Sequence, residues 1–96
     1  MIASFGDRAT EAVFHGAPSR LVRRFPPDVV RVALRKLDML NAASLLLDLQ
    51  SPPGNRLEAL RGDLKGFHSI RVNDQWRLVF RWSGSDAHDV RLADYH

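Results

Sequence analysis

Cysteine is absent from the 96 residues of the chain. This absence excludes a disulfide framework, a thiolate nucleophile and a zinc site built on cysteine. No apolar run approaches the about 20 residues that a helix needs to cross a bilayer. The first residues, "MIASFGDRATEA", also lack the basic-then-apolar order of a secretory signal. We therefore expect a soluble, cytoplasmic protein with no membrane partner, folded as one domain over residues 1–96.

Several common catalytic signatures are absent as well. The chain has no GxGxxG, Walker A, HExxH or GxSxG spacing, so dinucleotide, NTPase, zinc-protease and α/β-hydrolase interpretations have no support. Its four histidines, at positions 15, 68, 88 and 96, lack the spacing of a metal site. We expect no cofactor and no metal. We interpret His68, on the apolar side of a predicted strand, as a packed and hydrogen-bonded residue.

Basic residues outnumber acidic ones only slightly, by 14 to 11, but 12 of the 14 are arginine. Arginine forms bidentate contacts with phosphate and stacks on bases, which favours a nucleic-acid partner. A GC-rich genome also raises the arginine content, so the composition alone leaves the partner open.

Two helices are predicted from capping residues and apolar spacing. Residues 7–15 form a short helix with Asp7 as its N-cap and Gly16 past its end. Residues 28–41 form a longer one, in which Pro27 suits the first turn and Asp28 complements the helix dipole. Its predicted core stripe contains Val30, Ala33, Leu34, Leu37 and Leu40. Residues 1–5 are compatible with an edge strand, and residues 44–55 with either a short helix or an extended segment.

The rest of the chain alternates with the period of β-strands. Residues 67–72, 76–82 and 89–95 predict a three-stranded meander with turns at 73–75 and 83–86. One face is apolar and needs the helices against it; it carries His68, Ile70, Val72, Trp76, Leu78, Phe80, Trp82, Val90 and Leu92. The opposite face carries Ser69, Arg71, Arg77, Val79, Arg81, Asp89, Arg91, Ala93 and Tyr95.

The arginine-rich face has two interpretations. Arginines and a tyrosine on an open sheet suit an RNA backbone and its bases. Alternatively, the face is merely solvated, with its arginines paired to Asp74, Asp86 and Asp89.

A further set of side chains matches the needs of a ribonuclease that works without metal. Cleavage by the 2′-hydroxyl of RNA requires a base, cations that stabilise the phosphorane, and an acid for the departing 5′-oxygen. Glu58 or His96 could act as base, Arg61 and Arg77 as the phosphate clamp, and Tyr95 or His96 as acid. A tyrosine with a pKa of ~10 would need a cationic neighbourhood to transfer a proton at neutral pH.

The stretches "GNRLEALRGD", "SIRVNDQWRLVFRW" and the terminal "DYH" resemble the HigB family of type II toxins, which belongs to the RelE-like superfamily. The resemblance implies an α+β fold, with a small antiparallel sheet of about four strands and two to three helices on one face. It implies a metal-independent, ribosome-dependent endoribonuclease that cleaves translated mRNA on the 70S ribosome and stops growth. It also implies a helix-turn-helix, HigA-like antitoxin, whose complex with the toxin binds operator DNA.

The resemblance also suggests roles for individual residues. Asp94, Tyr95 and His96 match the C-terminal catalytic cluster of the family, and Arg77 matches an arginine of its cleft. Glu58 departs from the pattern, because some members have a histidine in this segment. Glu58 is therefore either a carboxylate base or a structural residue, which would leave proton transfer to His96. The basic residues expected to contact RNA are Arg61, Lys65, Arg71, Arg81 and Arg91.

The departure at Glu58 leaves a second function open. The same domain could bind its antitoxin and co-regulate the shared operon while having weak nuclease activity or none.

Overall fold

A four-stranded antiparallel sheet lies at the centre of the computed structural model, which describes residues 1–94. The strands lie side by side in chain order: β1 (Glu58–Ala59), β2 (Phe67–Arg71), β3 (Trp76–Ser83) and β4 (Asp86–Asp94). The last three form the predicted meander, and the two-residue β1 extends it. Together with two helices, this four-stranded antiparallel sheet confirms the predicted α+β class.

Both predicted helices form with nearly the predicted ends, as α1 (Arg8–His15) and α2 (Pro27–Ala42). The Asp7 carboxylate accepts from the Thr10 amide at 2.7 Å, and Gly16 ends α1 in the left-handed region at φ 66°. Pro27 occupies the first turn of α2, with Asp28 beside it. Within residues 1–94, neither helix is long and apolar enough to cross a membrane.

The buried face of α2 is rotated slightly from the predicted stripe. Val30 and Leu34 are half-buried at its margin, whereas Val29 and Lys36 are buried. Ala33, Leu37 and Leu40 are fully buried as predicted. The apolar period did not predict the burial of Lys36, because that burial depends on a partner from another part of the chain.

The helices pack on the predicted apolar face of the sheet. Its inner residues Ile70, Leu78, Phe80 and Val90 have no exposed surface, and each such side chain stabilises the fold by about 1.5–3 kcal/mol. His68 stacks on Phe80 with ring centroids 6.3 Å apart, so its predicted packing is confirmed. The predicted hydrogen bonding is wrong for one nitrogen, since its buried Nδ1 has no partner among residues 1–94.

The first six residues run along the outer edge of β4. Ile2 and Phe5 form isolated parallel bridges to Ala87 and Val90, so the predicted edge strand is present only as two separate contacts. Between these contacts β4 bulges at Asp89, which has a φ of 54° and shifts the register with β3. The bulge explains why the pairing is interrupted.

A buried threonine binds the same edge of β4 nearer the end of the strand. Thr10 on α1 is fully buried, and its Oγ1 accepts from the Leu92 amide at 2.8 Å. Unpaired amides on an edge strand otherwise invite pairing with another chain. Helix α1 and the first six residues thus cover β4 and fix its position.

The centre of the arginine-rich face is buried. The alternation placed Val79 on this solvent-exposed face, and for Val79 that prediction is wrong. Val79 is 1% exposed, and Ser69, which pairs with it across the ladder, is fully buried. Arg91 faces Val79 from the other side. Arginine stems cover apolar surface while their charged ends reach solvent, which accounts for a buried valine among them.

Candidate functional site

Arg77 is the most constrained charged side chain on the arginine-rich face. Its Nε donates to the Ser69 Oγ at 2.7 Å, and its Nη2 donates to the Arg56 carbonyl at 2.7 Å and to the Ser69 carbonyl at 3.4 Å. The side chain is 11% exposed. These contacts fix the plane of the guanidinium before any ligand arrives.

Glu58 lies beside this cation. It pairs with Ser69 across the β1–β2 ladder, which brings its Oε1 to 3.8 Å from the Arg77 Nη2. The Glu58 side chain is 50% exposed, so solvent and ligands can reach it. The structure therefore brings two of the predicted site residues together as an accessible carboxylate next to a held cation.

A surface cleft of about 500 Å³ opens at this point, lined by Glu58, Ala59, Leu60 and Arg61. Arg61 is exposed and precedes a short 3₁₀ turn, Gly62–Leu64, after which Lys65 is also exposed. Gly62 adopts a φ of 64°, a conformation that favours glycine and lets the chain turn at the cleft wall. The predicted phosphate-contacting Arg61 thus shares one cleft with Glu58.

Two further arginines of the arginine-rich face are also paired with acids. Arg71 contacts Asp74, and Arg81 donates to Asp89 through Nε and Nη2 at 3.1 and 3.0 Å. The prediction that the arginines of this face pair with acidic residues is therefore confirmed for Asp74 and Asp89. It is wrong for Asp86, which contacts the amino terminus at 3.5 Å. Exposed ion pairs contribute at most about 1 kcal/mol. A phosphate can therefore replace either carboxylate.

The last strand carries the remaining predicted residues. Arg91 is half-buried, and Asp94 is exposed and accepts from the Gln75 Nε2 at 3.0 Å. Asp94 pairs with Trp76, whose ring packs on the core, whereas Arg77 pairs with the preceding residue of β4. Residues facing each other across a ladder share one face of the sheet, so Asp94 lies on the Trp76 side. The predicted acid or base residues, Tyr95 and His96, lie outside the described residues.

Behind the cleft, a buried polar contact joins α2 to the segment before β1. Asn55 is fully buried; its Oδ1 accepts from the Lys36 Nζ and its Nδ2 donates to the Leu49 carbonyl at 3.1 Å. Burial lowers the pKa of Lys36 below 10.5, and repulsion from Arg35 and Arg71 lowers it further. This contact fixes the turn that leads into β1.

Sequence reasoning missed Ser69 and Arg56 as contacts of Arg77. For Ser69 a signal existed, because the alternation already placed it on the same face. The contribution of Arg56 is a main-chain carbonyl presented from the left-handed region, at φ 45° and ψ 55°. A non-glycine residue in that region has no reliable sequence signature.

The histidines within the described chain do not form a metal site. His15 lies 3.9 Å from Glu11, and His88 pairs with Arg81 in the ladder. Among residues 1–94, no three His, Asp or Glu side chains are grouped so as to hold a metal ion.

Sequence comparison identifies relatives of this chain. A family model described as the RelE-like toxin of the type II toxin-antitoxin system HigB matches residues 4–96. Toxin HigB-1 of Vibrio cholerae is 52% identical over 60 residues, which are 62% of this chain and 63% of that protein. Endoribonuclease HigB of Proteus vulgaris is 39% identical over 41 residues, which are 43% of this chain and 45% of that protein. The matches thus span less than two thirds of either relative.

Structural comparison supports the fold. A chain of the YoeB-YefM complex from Staphylococcus aureus matches with a TM-score of 0.61 at 14% identity, covering 100% of this chain and 98% of that chain. At such low identity the match shows a common fold. Because the family model covers nearly the whole sequence, the chain belongs to the HigB family of RelE-like toxins of type II toxin-antitoxin systems.

Proposed function

We propose that this chain is an endoribonuclease toxin that cleaves translated mRNA on the ribosome and thereby inhibits translation and growth. The observation that carries the proposal is the held guanidinium of Arg77, 3.8 Å from the accessible Glu58 carboxylate at a cleft. The name of the Proteus vulgaris relative, an endoribonuclease, supports the same reaction class.

The proposed reaction is a transesterification within the RNA. Glu58 removes the proton from a 2′-hydroxyl, whose oxygen attacks the adjacent phosphorus as the bond to the 5′-oxygen breaks. The departing 5′-oxygen takes a proton from Tyr95 or His96, which leaves a 2′,3′-cyclic phosphate and a 5′-hydroxyl. Arg77 and Arg61 stabilise the negative charge on the pentacovalent phosphorane.

The constraint on Arg77 matters because preorganised donors stabilise a transition state without having to reorient during the reaction. A flexible surface arginine would lose side-chain entropy each time it bound the phosphorane. The hydrogen bonds from Arg77 to Ser69 and Arg56 order the side chain when the protein folds, so little further entropy is lost when the phosphorane forms.

Substrate binding is assigned to the basic residues around the cleft. Their positions on β2, β3, β4 and the loop before β2 suit contacts with successive phosphates of a single strand. The residues proposed for this role are Arg61, Lys65, Arg71, Arg81 and Arg91. Asp94, at the end of β4, is proposed to orient the terminal residues rather than to contact the phosphate.

The proposed partner is a helix-turn-helix antitoxin of the HigA type. The chain belongs to a toxin-antitoxin family, which supports an antitoxin partner. We further propose that the complex represses its own operon by binding operator DNA, and that the free toxin acts in the cytoplasm.

A purified translation system that reads one defined message tests the nuclease. Wild type, Glu58→Ala and a variant lacking Tyr95 and His96 are added, and cleavage sites are mapped by primer extension. We expect cuts within the coding region for wild type only, and none when ribosomes are omitted. An intact message at saturating wild-type protein would contradict the proposal. Such a result, with retained antitoxin binding, would favour the nuclease-weak binding module.

A further inference from the structure

We infer that Arg56 and Ser69 are positioning residues for Arg77, and that Arg56 acts through its main-chain carbonyl rather than through its own guanidinium. This inference rests on the proposed role of Arg77 in cleavage. Each of these two groups accepts a hydrogen bond from the Arg77 guanidinium at 2.7 Å.

The Arg56 carbonyl reaches Arg77 because the backbone at Arg56 is left-handed, at φ 45° and ψ 55°. This conformation is uncommon for a non-glycine residue and persists when the surrounding structure enforces it. The Arg56 side chain itself is exposed. The strained backbone is therefore explained by the direction of the carbonyl and not by packing of the side chain.

The preceding residue enforces this conformation. The fully buried Asn55 accepts from Lys36, and its Nδ2 donates to the Leu49 and Ser51 carbonyls at 3.1 and 3.4 Å. Its amide also donates to the Pro52 carbonyl at 2.9 Å. The Arg56 amide in turn donates to the Pro53 carbonyl at 3.1 Å. The peptide that leads into Arg56 is thus held, and the Arg56 carbonyl accepts from the Arg77 Nη2 at 2.7 Å.

Ser69 completes the arrangement from β2. It is fully buried and lies between Glu58 on β1 and Val79 on β3 in the ladder register. Its hydroxyl accepts from the Arg77 Nε, while its carbonyl accepts from the Arg77 Nη2. One residue thus contacts both nitrogens on the same edge of the guanidinium and determines its plane.

A pair of substitutions at Arg56 tests the inference. Arg56→Gly and Arg56→Val remove the same charge, but glycine adopts the left-handed region readily whereas a β-branched residue strongly disfavours it. We expect Arg56→Gly to cleave at least about tenfold faster than Arg56→Val in single-turnover assays on programmed ribosomes, per folded molecule. Equal rates for the two variants would overturn the role of the carbonyl.

The same pair in an Arg77→Ala background separates positioning from a general structural effect. If Arg56 acts through Arg77, the difference between glycine and valine disappears in that background. If the difference persists, the inference is wrong. Arg31→Ala, an exposed arginine on α2, serves as the control for loss of one positive charge.

A second readout does not depend on cleavage, so it remains informative if the proposed nuclease activity fails. Nitrogen NMR reports hydrogen exchange at the Arg77 Nε–H, which is expected to be slow in wild type and faster in Ser69→Ala and Arg56→Val. Rapid exchange in the wild-type protein would show that the guanidinium is not held, and would overturn the inference even if the protein cleaves RNA.

Discussion

Arg77 on β3 reaches across β2 to within 3.8 Å of Glu58 on β1, so a cation and a carboxylate from non-adjacent strands meet at one edge of the sheet. The reach requires the full length of an arginine. It also requires a small residue, Ser69, on the strand between them.

Replacement of Arg77 by lysine tests the need for this geometry. Lysine keeps the charge but lacks the planar fork that contacts Ser69 and Arg56 together. We expect Arg77→Lys to lower the single-turnover cleavage rate by about 10²–10³-fold, the usual effect of removing a preorganised donor. Arg31→Lys, on the helical side, is the matched control. Near-wild-type cleavage by Arg77→Lys would show that charge alone suffices.

Glu58 is tested as a base by two substitutions. Glu58→Gln retains the shape but cannot accept a proton, and we expect a rate lower by about 10²–10⁴-fold. Glu58→His, which introduces the residue that some family members have here, should retain much more activity than glutamine. The measurement is the cleavage rate on programmed ribosomes. Equal cleavage rates for wild type and Glu58→Gln would show that Glu58 is not the base and would favour His96 instead.

The terminal residues are tested by growth. Tyr95→Phe and His96→Ala are each expected to relieve toxicity when expressed without antitoxin, since one removes a proton donor and the other an imidazole. Binding to the antitoxin, measured by calorimetry, should be unchanged and confirms the fold. Full toxicity in both variants would refute a catalytic role for the terminus.

Stability is expected to depend on pH through Lys36. Its pKa is below 10.5 in the folded state because of burial and neighbouring arginines, so between that lowered pKa and 10.5 the unfolded chain binds more protons than the folded one. The contribution of Lys36 to the free energy of unfolding therefore increases as pH rises through this range. Urea titrations of wild type and Lys36→Met at several pH values measure it. A difference between the two proteins that stays constant with pH would contradict the prediction.

The salt dependence of binding tests whether the basic residues of the arginine-rich face contact phosphates. For single strands, each phosphate contact contributes about 0.7 to the slope of log affinity against log salt concentration. Arg81→Ala should lower the slope by about that amount, and binding to programmed ribosomes measures it. Asp89→Asn, which removes the acid paired with Arg81, should leave the slope intact and strengthen binding. An unchanged slope in Arg81→Ala would remove this residue from the interface.

Much of the sheet could be predicted from the sequence because β2, β3 and β4 alternate regularly and are joined by short turns. β1 was not predicted, because two exposed residues carry no periodic signal and are paired only through β2. The burial of Val79 was also missed, since alternation assumes that one face of a strand is solvated. Val79 instead lies between the buried Ser69 and the half-buried Arg91 at the centre of the sheet.

In the candidate site, too, some features could be predicted from the sequence and others could not. Glu58, Arg61 and Arg77 could be chosen from their chemistry and from the family resemblance. In the structure Glu58 and Arg61 line one cleft, and Arg77 lies 3.8 Å from Glu58. The groups that hold Arg77 in place are a carbonyl and a buried hydroxyl. Their roles arise from tertiary contacts, such as the one between Asn55 and Lys36 nineteen positions apart, which local patterns do not record.

The pairing of the first six residues with β4 affects how the protein is made. The Ser4 hydroxyl accepts from the Asp89 amide, and Thr10 accepts from Leu92, so these contacts join residues 85 and 82 positions apart. During synthesis the opening segment has to wait for nearly ninety residues before its partner strand emerges. Since β4 also carries Arg91, the arginine-rich face is completed only after β4 has been made, later than both helices, which precede β4 in the chain.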